Sequence, residues 1–265
     1  MIHEDKIVKY PRTPHLQGSR LQPGDEDLKQ VRFSEIAGRY MVLEEKIDGA
    51  NSAVSFSPEG ELRVQSRGHF LTGGPRERHY DLLKQWAAVH RDRFYDVLGT
   101  RYIMYGEWMY AKHSIYYDLL PGYFMEFDIY DRETGKFLST ELRHDLIGKL
   151  PVNSCAVLAK GRFTEQSEIT GLLGDSNYIS ADHILHLRED AEKAGQDADT
   201  ICRQTDASRT MEGIYIKLEE DGEVKSRLKF VRPSFLQTEE TSDKFWLDRV
   251  IIPNRITVSL NDLFI

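Results

Sequence analysis

The chain has 265 residues, 40% of them hydrophobic, which is enough for one large core or two modest ones and too apolar for a disordered protein. Its net charge of -8 excludes a uniformly basic surface, so any contact with nucleic acid is expected to be local. The two cysteines, Cys155 and Cys202, stand outside any CxxC or Cys/His spacing. That argues against a disulfide framework or a zinc ribbon and predicts an intracellular, cytoplasmic protein. No signal pattern opens the sequence and no apolar run approaches the ~20 residues that span a bilayer, so no membrane partner is expected. Repeats, heptads and low-complexity tracts are not visible, and one compact domain is the simplest reading.

In chain order, residues 1–36 are rich in Pro, Gly and charge and predict an N-terminal arm with little core of its own. Strands are predicted at 41–45 and 52–56, with Ser57-Pro58-Glu59-Gly60 turning into a third at 62–64. Tyr80, Leu83, Trp86, Ala87 and Phe94 recur near helical spacing and predict a helix over 77–97. Further strands are expected at 101–105 and 123–130, and helical segments at 140–149, 165–172 and 190–204. A closing hairpin pairs 213–217 with 224–230 around Glu220-Asp221-Gly222-Glu223. The class is α+β, with a domain over 37–235 and a C-terminal tail over 236–265.

The stretch Glu45-Lys46-Ile47-Asp48-Gly49-Ala50-Asn51 puts a lysine at a strand end, before an Asp-Gly turn. A free lysine at neutral pH is neutral in only about one molecule in a thousand or fewer, so a nucleophilic role needs desolvation or cationic neighbours. Lys217, Arg227 and Lys229 are available for that purpose. Taken alone, KxDG more often describes a plain turn with a solvated lysine. Two basic clusters, Arg63, Arg67, Arg76 and Arg78, and Lys225, Arg227, Lys229 and Arg232, offer either local nucleic-acid contacts or ordinary solvated surface.

Further segments follow in a fixed order: Ser66-Arg67-Gly68, Tyr105-Gly106-Glu107-Trp108, Met125-Glu126-Phe127-Asp128-Ile129, Glu212-Gly213-Ile214-Tyr215-Ile216-Lys217 and Arg227-Leu228-Lys229. With Lys46-Ile47-Asp48-Gly49, this ordered set resembles the covalent nucleotidyltransferase superfamily of ATP-dependent DNA and RNA ligases and capping enzymes. The resemblance is strongest to the RNA ligase 2 family. It implies an ATP-grasp-like nucleotidyltransferase domain of antiparallel sheets flanked by helices, here without an OB domain.

By this resemblance Lys46 attacks the α-phosphate of ATP, AMP passes to a 5′-phosphate end, and a 3′-hydroxyl then displaces it. Lys217 and Lys229 would contact phosphate, Arg227 would assist, and Arg67 would engage the nucleotide or the end phosphate. Glu107 and Glu212 would hold Mg or Mn, as phosphoryl transfer depends on positioning and charge stabilisation. Phe127 matches the aromatic that stacks on adenine, and strand core is its plain alternative. Glu45 matches a residue at the adenine edge, and Asn51 completes a KxDGxN string that tilts the substrate towards RNA. His15 and Arg20 in the arm read as simple surface polarity or, by a weaker likeness to the start of RNA ligase 2 proteins, as nucleotide contacts.

Two departures stand out. Arg227 replaces the usual lysine, and guanidinium is not equivalent to ammonium at a phosphate. Only 36 residues, 230–265, follow Lys229, so a minimal catalytic domain is expected, with residues 246–265 packing back on it or binding a partner. Elsewhere, Asp182, His183 and His186 lack a third ligand and read as structural. Leu71-Thr72-Gly73-Gly74-Pro75 lacks the end of a P-loop and reads as a loop near the nucleotide.

The sequence therefore predicts an ATP-dependent RNA ligase, with a DNA nick ligase or a non-catalytic nucleic-acid-binding module as alternatives. The partners implied are RNA, in a nicked duplex or an RNA-DNA hybrid, and an end-processing kinase or phosphatase.

Overall fold

In the computed structural model the described residues are 6–21, 24–25, 27–235 and 250–265, with the Arg76 side chain excepted. Strands β1 (His15–Leu16) and β2 (Gln30–Val31) come from the arm. They are followed by β3 (Tyr40–Lys46), β4 (Ala50–Phe56), β5 (Leu62–Ser66), β6 (Tyr102–Trp108) and β7 (Phe124–Asp131). Three short strands, β8 (Lys136–Phe137), β9 (Asn153–Ser154) and β10 (Val157–Arg162), precede the hairpin β11 (Gly213–Glu220) and β12 (Glu223–Val231).

These strands form two sheets. One has the order β10-β3-β11-β12-β1-β2 and the other β5-β4-β6-β7-β8, with β9 beside β7. Pairing is antiparallel except at β1, β2 and β9. With the helices this is an α+β fold, as expected.

Alternation along the strands sets which side chains meet. In the first sheet Met41, Leu43, Ile214, Ile216, Leu218, Leu228 and Phe230 turn to one face and build a core with Leu16, Phe33 and Ile169. The intervening Glu44, Lys46, Tyr215, Lys217, Arg227 and Lys229 turn to the other face, towards the second sheet. A larger core covers that second sheet with Leu83, Trp86 and Phe94 of the helices.

The arm differs from its expectation. Leu16 is fully buried, and Tyr10 packs with Ala53, Ile103 and Tyr105. His15 lies opposite Lys229 in the parallel β1–β12 ladder, so the arm shares the core of the domain.

The predicted helix over 77–97 is a 3-10 turn, Pro75–Tyr80, and two helices, α1 (Asp81–Val89) and α2 (Arg91–Leu98). His90 interrupts them with φ -92° and ψ 9°, and its Nε2 donates to the Leu263 carbonyl at 2.7 Å. Periodicity carries through such a break because Trp86 and Phe94 remain on the same buried side. Helices α3 (Thr140–Ile147) and α4 (Gln166–Thr170) fall where expected.

In place of one segment over 190–204 the chain forms α5 (His183–Lys193), which begins seven residues earlier, and α6 (Ala198–Arg203). Gly195, at φ 69°, ends the first, and the Asp197 side chain caps the second by accepting from the Thr200 N–H. The final hairpin turns at Asp221 and Gly222, both at positive φ, as a tight two-residue turn requires.

Residues 250–265 pack back on the body. Asn254 is buried, donating to the Met109 carbonyl and accepting from the Tyr117 N–H, and Arg255 pairs with Asp190 and Glu189. Trp246 lies outside the described residues. Among the described residues, no helix is long and apolar enough to cross a membrane.

Candidate active site

Lys46 closes β3 directly across from Gly213 in the β3–β11 ladder. A Cβ at Gly213 would collide with the Phe230 carbonyl, which accounts for glycine there. The preceding Glu212 thereby arrives beside the lysine, and Lys46 Nζ donates to its Oε2 at 2.6 Å. Beyond Lys46 the chain turns against β6. The Gly49 N–H donates to Glu107 Oε1 at 3.2 Å, and a Cβ at Gly49 would strike Met109 and the Trp108 carbonyl. Asp48 Oδ2 accepts the N–H groups of Ser114 (2.7 Å) and Ile115 (3.2 Å), fastening the neighbouring loop to the turn.

These elements border a cleft of about 820 Å³. Of the anticipated residues, Glu45, Lys46, Asn51, Arg67, Glu107, Phe127 and Lys229 line it. Asn51 sits opposite Glu107 in the β4–β6 ladder. Tyr10, Thr13, His69, Tyr80 and His113 also line it, and no pattern in the sequence marks them.

Phe127 reaches the cleft through a β-bulge. Tyr105 pairs with Asp128 and Gly106 with Glu126, leaving Phe127 as the extra residue of β7. Such a bulge re-aims a side chain and releases a carbonyl from the ladder. The ring is then braced edge-on by Tyr10 at 5.1 Å.

The electrostatics around Lys46 reverse the expectation of cationic neighbours. Burial pulls its pKa down, but Glu212, Glu107 and Asp48 more than offset this, so the net shift is upward. Burial likewise lifts the Glu107 carboxyl from 4.5 to about 8, with Asp48 and Glu212 adding to the effect and Lys46 opposing it. Glu212 is raised as well, first by burial. Lys229 is lowered by burial, with Lys46 contributing, while its partner Asp25 opposes the shift.

With its pKa lifted to about 8, Glu107 is largely protonated near neutral pH, and a divalent cation beside it would favour the charged carboxylate. Among the described residues no group of three or more His, Cys, Asp or Glu converges as a ligand set.

The sequence profile of the RNA ligase family matches residues 39–231. The chain belongs to the RNA ligase family. A comparison with curated proteins finds no match. Among solved structures, this family member is similar to a mutant Naegleria gruberi RNA ligase with AMP and Mn, at 16% identity and a TM-score of 0.50 over 85% of this chain and 56% of that one. It is also similar to the Naegleria gruberi RNA ligase with PPi, at 19% identity and a TM-score of 0.49 over 78% and 54% of the two chains. The chain thus spans about half the length of these structures.

Several residues that the motifs of this family member assign to the nucleotide lie elsewhere. Lys217 is fully buried between the sheets, pairing with Glu44 at 2.9 Å and Asp128 at 3.3 Å. Arg227 lies beside Asp128 at 3.4 Å, with its guanidinium 3.9 Å from the Phe137 ring centroid. Both share the strand face of Lys229 without lining the cleft, and beside them Arg143 joins Glu44 to Glu126. His15 is buried against Ser19 and Asp25, and Arg20 donates to the carbonyls of Pro233 and Phe235.

Other basic residues of the two clusters are also engaged: Arg63 with Glu61, Lys225 with Glu223, and Arg232 with Asp206. His183 bonds main-chain carbonyls and His186 bonds Asp118, in keeping with structural roles. In the loop at 71–75, the Thr72 and Gly73 N–H groups donate to Glu77, so they form no phosphate cradle.

Proposed function

We propose that this chain is an ATP-dependent RNA ligase that seals 5′-phosphate to 3′-hydroxyl ends of RNA through lysyl-AMP. The observation that carries the reading is the pairing of Lys46 with Glu212 at 2.6 Å in the wall of a nucleotide-sized cleft. An amine must shed its proton before attacking phosphorus, and Glu212, raised by burial, is the acceptor in contact with it. Attack forms the N–P bond on Lys46 as the bond to pyrophosphate breaks. A divalent cation held by Glu107 and Glu212 would supply charge neutralisation at the phosphates.

Lys229 and Arg67 offer cationic charge to the phosphates, Phe127 a ring to the base, and Asn51 a polar contact next to Glu107. Glu45 would read the adenine edge. Lys217 and Arg227 support the site from below. The catalytic domain over 37–235, the end-processing partner and the cytoplasmic setting belong to the same proposal.

Incubation with ATP labelled at the α-phosphate, followed by peptide mapping, tests the chemistry: AMP on Lys46 is expected, and its absence with ATP, GTP and several metals would favour a binding module. Nicked duplexes with RNA or DNA at the 3′-hydroxyl side then test the substrate, since a protein can sense the 2′-hydroxyl. Equal sealing rates would favour the DNA nick reading.

A further inference from the structure

The two walls of the cleft differ in how their polar groups are satisfied. On the wall of the first sheet Lys46 is paired with Glu212, Lys229 with Asp25, and the Tyr215 hydroxyl with Thr13. On the wall of the second sheet Asn51, Arg67 and Tyr80 line the cleft, and none of their side chains makes a hydrogen bond or ion pair with another described residue. Asn51 stands opposite Glu107 in the β4–β6 ladder, and Arg67 follows directly on Ser66, which pairs with Ser52.

Tyr80 reaches this wall from the 3-10 turn Pro75–Tyr80, which is held at both ends. Glu77 accepts the Thr72 and Gly73 N–H groups and pairs with Lys84 at 3.2 Å, and Trp108 Nε1 donates to the His79 carbonyl at 2.8 Å. The ring joins the core with Leu83 and Trp108, and the residue is only 5% exposed. Burial first, and then the charge of Glu107, raises the pKa of the phenol, so the hydroxyl stays a neutral donor near that carboxyl.

A hydroxyl, a side-chain amide and a guanidinium on one wall are a surplus of donors, with one permanent positive charge among them. An anion rich in acceptors is the ligand that satisfies such a set, and a phosphate oxygen takes a hydroxyl donor in a short, charge-assisted bond. We propose that Tyr80 is a further substrate-contacting residue of this cleft: beside Arg67, its hydroxyl donates to a phosphate oxygen. Two sources carry that chemistry, the phosphates of ATP and the 5′-phosphate end of RNA, and the experiment separates them.

This inference rests on the reading of the cleft as a nucleotide and RNA site, but not on ligation or on lysyl-AMP. The test is Tyr80→Phe in the full chain, which keeps the ring in the core and removes only the hydroxyl. As that hydroxyl has no partner among the described residues, the melting midpoint is expected to stay where it is. Calorimetry compares ATP with adenosine, and an oligoribonucleotide bearing a 5′-phosphate with the same strand bearing a 5′-hydroxyl. The variant is expected to lose affinity roughly tenfold for at least one phosphorylated ligand, the loss of one charged hydrogen bond, and to bind its unphosphorylated counterpart as before. A loss with ATP assigns the nucleotide phosphates, and a loss with the oligoribonucleotide assigns the end phosphate.

Unchanged affinity for both phosphorylated ligands would overturn the inference. So would equal losses with and without phosphate, which a sugar or base contact gives, or a lowered melting midpoint, which marks the hydroxyl as structural. AMP on Lys46 beside no effect of Tyr80→Phe would remove this inference alone. Failure of α-phosphate labelling beside a phosphate-dependent loss would instead overturn the ligase chemistry and leave the inference standing.

Discussion

The Lys217 ammonium donates to the main-chain carbonyl of Phe127, the extra residue in the β-bulge of β7. A lysine that the motif order assigns to phosphate therefore satisfies the backbone of a residue that lines the cleft. It also pairs with Glu44 and Asp128, which Arg143 and Arg227 approach from their other sides, so the three cations and two carboxylates form one buried network.

Lys217→Met is accordingly expected to destabilise the fold by about 3–5 kcal/mol, the effect of removing one charge from a buried ion-pair network. Urea denaturation measures it. A phosphate ligand on the cleft wall would instead leave the midpoint unchanged and weaken ATP binding.

Glu107 makes a pH prediction. Its folded-state pKa of about 8 lies above the ordinary 4.5, so the folded protein binds the proton more tightly than the unfolded chain. This contribution is fully present below about pH 4.5 and is lost as pH rises through about 8. Glu107→Gln should flatten that decline in thermal stability, and added Mg or Mn should flatten it in the native protein by favouring the charged carboxylate. Melting curves from pH 4.5 to 8.5, with and without EDTA, provide the comparison.

Phe127→Leu keeps an apolar side chain at the bulge and removes the stacking face. ATP affinity should fall by about 1–3 kcal/mol, the usual worth of a base–aromatic stack. Unchanged affinity would return the residue to a packing role beside Tyr10.

Lys229 is paired with Asp25 of the arm, and a carboxylate there competes with phosphate for the ammonium. Asp25→Asn should lower the dissociation constant for ATP, roughly three- to tenfold at low salt and less as salt rises. Weaker binding would show that Asp25 holds Lys229 in its working position.

The sequence by itself determined the order of the motifs, the α+β class, the closing hairpin and the presence of Lys46, Glu107, Phe127, Glu212 and Lys229. These features depend on local alternation, turn chemistry and short strings that can be read without a partner strand. It also carried family membership, since the ordered motifs, from Lys46 to Lys229, fall within the matched residues 39–231.

Tertiary structure alone decided depth and partnership. Lys217, Arg227 and Lys229 share one strand face, and alternation cannot tell which of them reaches the cleft and which lies against Asp128. The bulge at Phe127 arises from register with β6, which is a relation between strands. The carboxylates that raise the pKa of Lys46 come from points 2, 61 and 166 residues away along the chain, Asp48, Glu107 and Glu212. Electrostatic coupling follows distance in space and local dielectric, and only the folded chain sets either.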